Sequence, residues 1–155
     1  MPAGSEGGAG VPSLPVTWRP LGPRIVGIVL GVGLLAVFAV AWFSFDAETR
    51  AKFTPFQIGT MVALTGIGFG ALYALIRSRA VARPEGLLVV NGYRRRELAW
   101  EQVVGVNLSP GAPWVTLDLS DGSTVSVLAI QGSDGARAVT AARTLRRLVA
   151  QPPRG

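Results

Sequence analysis

Cysteine and histidine are both absent from this 155-residue chain. Their absence removes disulfides, thiolate nucleophiles, Cys/His zinc sites and the one side chain that titrates near neutrality unaided. Charge is also scarce: Asp, Glu, Lys and Arg make up 15% of the residues, against roughly 25% in an average soluble domain. With 49% hydrophobic residues, much apolar surface must face something other than water, and lipid is the obvious solvent. Lysine is nearly missing as well, since Lys52 stands alone among fifteen basic residues and the rest are Arg. With abundant Ala, Gly and Val, that bias looks like GC-rich coding and hints at an actinobacterial source.

The length allows at most one membrane unit and one small domain. Residues 1–18 are rich in Gly, Ala, Pro and Ser, show no periodicity, and carry too little apolar surface to offset the entropy of ordering. They read as a disordered tail. From Ile25 to Phe45 runs an uncharged stretch of 21 residues, which as a helix covers about 31 Å and matches a hydrocarbon core. It is too long for a signal peptide and ends in aromatics instead of a small-residue cleavage site. A charged loop, Asp46 to Lys52, leads to a second uncharged stretch, Phe56 to Ile76, with Pro55 suited to its first turn. Residues 19–80 are therefore expected to form a two-helix transmembrane hairpin.

Arg19, Arg24, Arg77, Arg79 and Arg83 flank the outer ends of the two spans, whereas only Arg50 and Lys52 lie in the connecting loop, offset by Asp46 and Glu48. The positive-inside rule then puts both termini in the cytoplasm of a plasma-membrane protein. Each span carries a small-residue pair at helical spacing, Gly27 with Gly31 and Gly66 with Gly70. Such pairs let backbones approach closely in lipid, either within the hairpin or in a homodimer.

After Pro84 the pattern shortens into alternating segments punctuated by Asn91-Gly92 and Asp121-Gly122, the signature of antiparallel strands. Gly86–Val90 and Tyr93–Leu98 flank the first of these turns, with a two-residue turn or a bulged loop both open. Trp100 is expected in the core, followed by Val104, Val106 and Leu108 on one strand face. In the last hairpin, a two-residue turn would mix polar and apolar residues on each face. A three-residue Ser120-Asp121-Gly122 loop pairs Leu117 with Val125 and Val115 with Val127, which predicts a glycine bulge at Gly122. Ser133 and Asp134 are expected to start a closing helix with an apolar stripe of Ala138, Ala142, Leu145, Leu148 and Val149, stopped at Pro152-Pro153. The expected fold is a membrane helical hairpin plus a small α+β domain at 81–151, with about five strands and one C-terminal helix, and a tail at 152–155.

The segments ARPEGLLVVNGYRRRELAW at 82–100 and WVTLDLSDGSTVSVLAI at 114–130, with the arginine-rich helix after them, resemble a small bacterial pleckstrin-homology (PH) family of actinobacteria. There, two membrane helices precede a compact PH-like domain. The resemblance implies an interaction module without an assigned chemistry.

Candidate contact residues for anionic phospholipid headgroups or a protein partner are Arg77, Arg79 and Arg83, just past the second span, and Arg94, Arg95 and Arg96, just past the first β turn. Near an anionic leaflet each contributes about 1 kcal/mol of attraction. Strand alternation puts Arg94 and Arg96 on one face and Arg95 on the other. No catalytic, metal or cofactor site is expected: Asp118 and Asp121 sit at a turn, Glu97 and Glu101 flank Trp100, and no base accompanies a hydroxyl in a nucleophile motif. No aromatic platform interleaves with the arginines, which argues against nucleic acid. The expected function is a membrane-anchored PH-like scaffold for an unidentified protein partner. The alternative is an accessory subunit of a transporter or envelope enzyme, acting through the hairpin.

Overall fold

The computed structural model describes residues 13–153. Two helices, α1 (Gly22–Ser44) and α3 (Pro55–Arg77), run 23 residues each and are long and apolar enough to cross a bilayer. The short α2 (Ala47–Ala51) joins them. Both turns of the connection are capped from within: Asp46 accepts from the Thr49 N–H at 2.6 Å, and Thr54 and Gln57 form a reciprocal capping box in front of Pro55. At that end Phe53 packs its ring against Trp42 and Phe45, with centroids 5.7 and 5.8 Å away.

Seven antiparallel strands make up the rest, with a closing helix α4 (Ala136–Ala150). Strands β1 (Val16–Trp18), β2 (Arg79–Arg83), β3 (Gly86–Asn91) and β4 (Arg94–Leu98) form one sheet in sequential order, and β5 (Val103–Asn107), β6 (Trp114–Leu119) and β7 (Thr124–Gln131) form the other. The core lies between them: Leu87, Val89, Val115, Leu117, Val127, Leu145 and Leu148 are all buried. Trp100 anchors it, with its indole N–H donated to the Arg83 carbonyl at 3.0 Å. The apolar stripe of α4 covers the core through Ala138, Ala142, Leu145 and Leu148.

Several expectations need correction. There are seven strands, not five, and both additions lie outside the alternating region. Residues 16–18 belong to a strand, not to the tail expected at 1–18, because β1 pairs antiparallel with β2, Thr17 opposite Val81; residues 1–12 of that expected tail lie outside the described residues. The domain also starts before residue 81, at Arg79. The inward residues of β2 are Ala80 and Ala82, too small to announce a strand. In β5 a register shift between Val103 and Gly105 turns Val103 inward and leaves Val104 62% exposed. Gly105 permits the shift to pack tightly, since a Cβ there would sit 2.7 Å from the Asp118 carboxylate. The first hairpin turns on Gly92-Tyr93 rather than Asn91-Gly92: Asn91 pairs with Arg94, and Gly92 takes the positive φ of +59°. Finally, Ser133 and Asp134 lie in a 3₁₀ turn and α4 begins only at Ala136, with no side-chain cap of its own.

The last hairpin forms as expected. Val115 pairs with Val127 and Leu117 with Val125, Gly122 has φ +80°, and its N–H closes the turn onto the Leu119 carbonyl at 2.9 Å.

Candidate functional site

The richest polar chemistry lies where the helical hairpin meets the β domain. Helix α3 runs almost directly into β2, with Ser78 alone between them. Ser78 is 1% exposed; its hydroxyl donates to the Ala74 carbonyl at 3.2 Å and accepts from the Gly92 N–H at 3.0 Å. That bond draws the β3–β4 turn against α3. Gly92 has to be glycine there on two counts, its positive φ and the 3.3 Å that would separate an added Cβ from Ala74. The neighbouring Tyr93 donates its hydroxyl to the Gly70 carbonyl at 2.9 Å. Arg77 lies over the rings of both Tyr73 and Tyr93, 5.7 Å from each centroid.

On the other side of the junction, Asp134 does not cap its own helix. Its carboxylate accepts from the backbone N–H groups of Leu21 (3.2 Å) and Gly22 (3.1 Å). These are orphan donors at the start of α1, a helix with no acidic residue in its first turn and no side-chain cap nearby in sequence. An acid more than a hundred residues downstream thus neutralises the positive end of α1. A third long-range polar link joins the two sheets: the Asn91 side chain donates to the Ser126 carbonyl and accepts from the Leu128 N–H at 3.1 Å.

The six arginines singled out in the sequence separate into three groups. Arg77 belongs to the tyrosine cluster. Register puts Arg79, Arg83 and Arg95 on the outward face of the first sheet, where Arg79 and Arg95 flank Val90. Arg95 pairs with Glu97, and this hydrogen bond, reinforced by the charges of Arg95 and Arg83, holds the Glu97 carboxyl below its ordinary value. Arg94 and Arg96 occupy the opposite face and line a groove of about 590 Å³ with Asn91, Thr124 and Ser126. Asp121 lies close enough to feel Arg96, but its carboxyl is lowered mainly by hydrogen bonding from Ser123.

The glycine pairs also divide. Gly27 and Gly31 are buried in the hairpin interface, where an added Cβ would meet Leu72 and Ile76 at 3.7 Å from Gly27 and Phe69 at 3.2 Å from Gly31. A Cβ added at Gly66 would meet no other element within 4 Å, and one at Gly70 would face the Tyr93 hydroxyl. Among the described residues no group of His, Cys, Asp or Glu side chains is gathered to hold a metal ion. Sequence reasoning missed Ser78, Tyr93, Asn91 and the true partner of Asp134; the only local signal was an aromatic residue directly after a turn glycine.

Residues 77–148 match the bacterial PH domain family. This segment is a bacterial PH domain. Its match starts at the end of α3, so β1, which completes the first sheet of the PH domain, comes from the chain segment that precedes the hairpin. Uncharacterized proteins of Mycobacterium bovis and of two Mycobacterium tuberculosis strains are 36% identical over 99 residues, 62% of this chain. The aligned stretch spans 64% of the length of each relative. No solved structure matches.

Proposed function

We propose that the chain is a membrane-anchored interaction module, without catalytic activity, whose hairpin spans the plasma membrane and holds its PH domain at the cytoplasmic face for a protein partner. Anionic phospholipid assists through the arginines at and beyond the junction. One observation carries this reading: the PH domain grips both ends of the hairpin, through β1 and Asp134 at the start of α1 and through Ser78 and Tyr93 at the end of α3. A domain tethered by a loose linker would sample many orientations. This one is held in a single pose, which suits the presentation of a fixed surface to a partner. Outer-end arginines with the positive-inside rule support the cytoplasmic orientation.

Crosslinking in native membranes followed by mass spectrometry tests the reading, comparing the intact chain with one carrying Arg94→Ser, Arg95→Ser and Arg96→Ser. The expected result is a specific partner that the triple variant loses. A partner that both chains capture equally would exclude the arginine-bearing strand as the working surface.

A second reading, an accessory subunit acting through its helices, draws support from Gly66, which lies open on α3 and takes no part in the hairpin interface. Gly66→Leu would abolish capture under that reading and leave it intact under the first. Expressing the halves separately is not a usable test, because a fragment beginning at residue 84 lacks both β1 and β2.

A further inference from the structure

The β3–β4 turn reaches beyond the end of α3 and back along the helix. Gly70, whose carbonyl receives the Tyr93 hydroxyl, precedes Arg77 by seven residues, which is about 10 Å of helix. With Arg77 at the boundary of the apolar span, Tyr93 sits at the depth of the headgroups and upper acyl chains, the level that amphipathic aromatics prefer. Arg77 is fixed there by the faces of two tyrosine rings. A cation–π contact uses the charge of a guanidinium rather than its N–H donors, which stay available to a ligand. Neither ion pair of the described residues involves Arg77, and its side chain donates no hydrogen bond within the described residues. Arg79, two residues farther on, has no carboxylate partner among them either.

A planar donor fork, pre-oriented at headgroup depth beside an unneutralised cation, fits the paired oxygens of a phosphate. We propose that Arg77, clamped by Tyr73 and Tyr93, binds the phosphate of one anionic phospholipid of the inner leaflet, its acyl chains lying along the exposed apolar surface of α3. A zwitterionic lipid would bring its own cation against Arg77 and Arg79 and is disfavoured. An acidic peptide offers a similar oxygen pair, but its backbone would have to enter the acyl region to reach a site level with Tyr93. The proposal rests on the reading of the hairpin as a membrane span.

The test uses the purified full chain in nanodiscs of phosphatidylcholine doped with phosphatidylglycerol, released into detergent and weighed by native mass spectrometry. The intact chain is expected to retain one phosphatidylglycerol in preference to phosphatidylcholine. Arg77→Lys keeps the charge that a topology determinant needs but loses the planar fork, and retention should fall about tenfold, the loss of roughly one charge-assisted hydrogen bond. Arg77→Gln should abolish retention, while Arg143→Gln on the exposed side of α4 should leave it unchanged. Circular dichroism and melting of each variant separate loss of lipid from loss of fold. Equal retention by Arg77→Lys, Arg77→Gln and the intact chain would overturn the proposal. So would equal retention of the two lipids, or capture of a soluble acidic peptide in place of lipid. No partner is present, so these failures would leave the partner-capture reading standing. A chain that cannot be reconstituted into nanodiscs would sink the membrane reading itself.

Discussion

The hairpin and the PH domain bury their apolar residues in opposite ways. Along α1 only Gly27 and Gly31 are buried, and along α3 no residue is, while Val37, Phe43 and Phe56 stand 64, 77 and 81% exposed. In the PH domain Val115, Leu117, Val127, Leu145 and Leu148 are completely enclosed. The first region satisfies its backbone internally and leaves its apolar side chains exposed, the arrangement that a helix pair in lipid requires. The second alternates apolar and polar residues so that sheet faces and one helix stripe close on each other. Stability in the PH domain therefore depends on individual large side chains, and in the hairpin on small residues that permit close approach.

The largest effect should come from hollowing the enclosed core. Leu117→Ala should destabilise the PH domain by about 3 kcal/mol, read by denaturant titration of tryptophan fluorescence in the detergent-solubilised full chain, with the helicity of the hairpin preserved. If both regions melt together, the contrast between them fails.

Next, Gly31→Leu should force α1 away from Phe69 at a cost of about 1–3 kcal/mol, seen as a lengthened distance between spin labels on α1 and α3. Gly66→Leu, with open space around it, should leave that distance unchanged.

Asp134→Ala acts on the seam between the regions. It removes a cap worth about 1 kcal/mol, so amide exchange at Leu21 and Gly22 should accelerate about fivefold, while the exchange of β6 and β7 stays as it was. Acceleration spread over the whole PH domain would mean that the seam holds the fold together rather than only the start of α1.

Acid should have the smallest effect. Glu97 and Asp121 both titrate below their ordinary values of 4.5 and 3.8 in the folded chain. The stability they contribute is complete above those values and is lost as pH falls through the lower folded ones. Both groups are exposed, so the melting temperature should drop only slightly below about pH 4. Glu97→Gln should remove most of the part owed to Arg95.

What was legible in the sequence depended on distance along the chain. The β6–β7 register followed from five apolar residues and one turn, all within thirteen positions. Strand β1 was hidden because three residues are too few to show a period, and β2 because its inward side chains are alanines. The arginine triplet was correctly divided between strand faces. That the three groups of arginines have different surroundings was not visible, since Tyr73, Val90 and Thr124 come from separate elements.

The two apolar helices, the face of α4 that turns inward and the hairpin that turns at Gly122 were written in local pattern, because periodicity and turn chemistry act over a few neighbouring residues. That Asp134 caps α1, that Gly27 and Gly31 rather than Gly66 close the hairpin, and that Tyr93 docks on Gly70 emerged only in the folded chain. Each of these joins groups that compete with many equivalent partners along the chain, and the choice among them is made by where the folded strands and helices bring the chain back together.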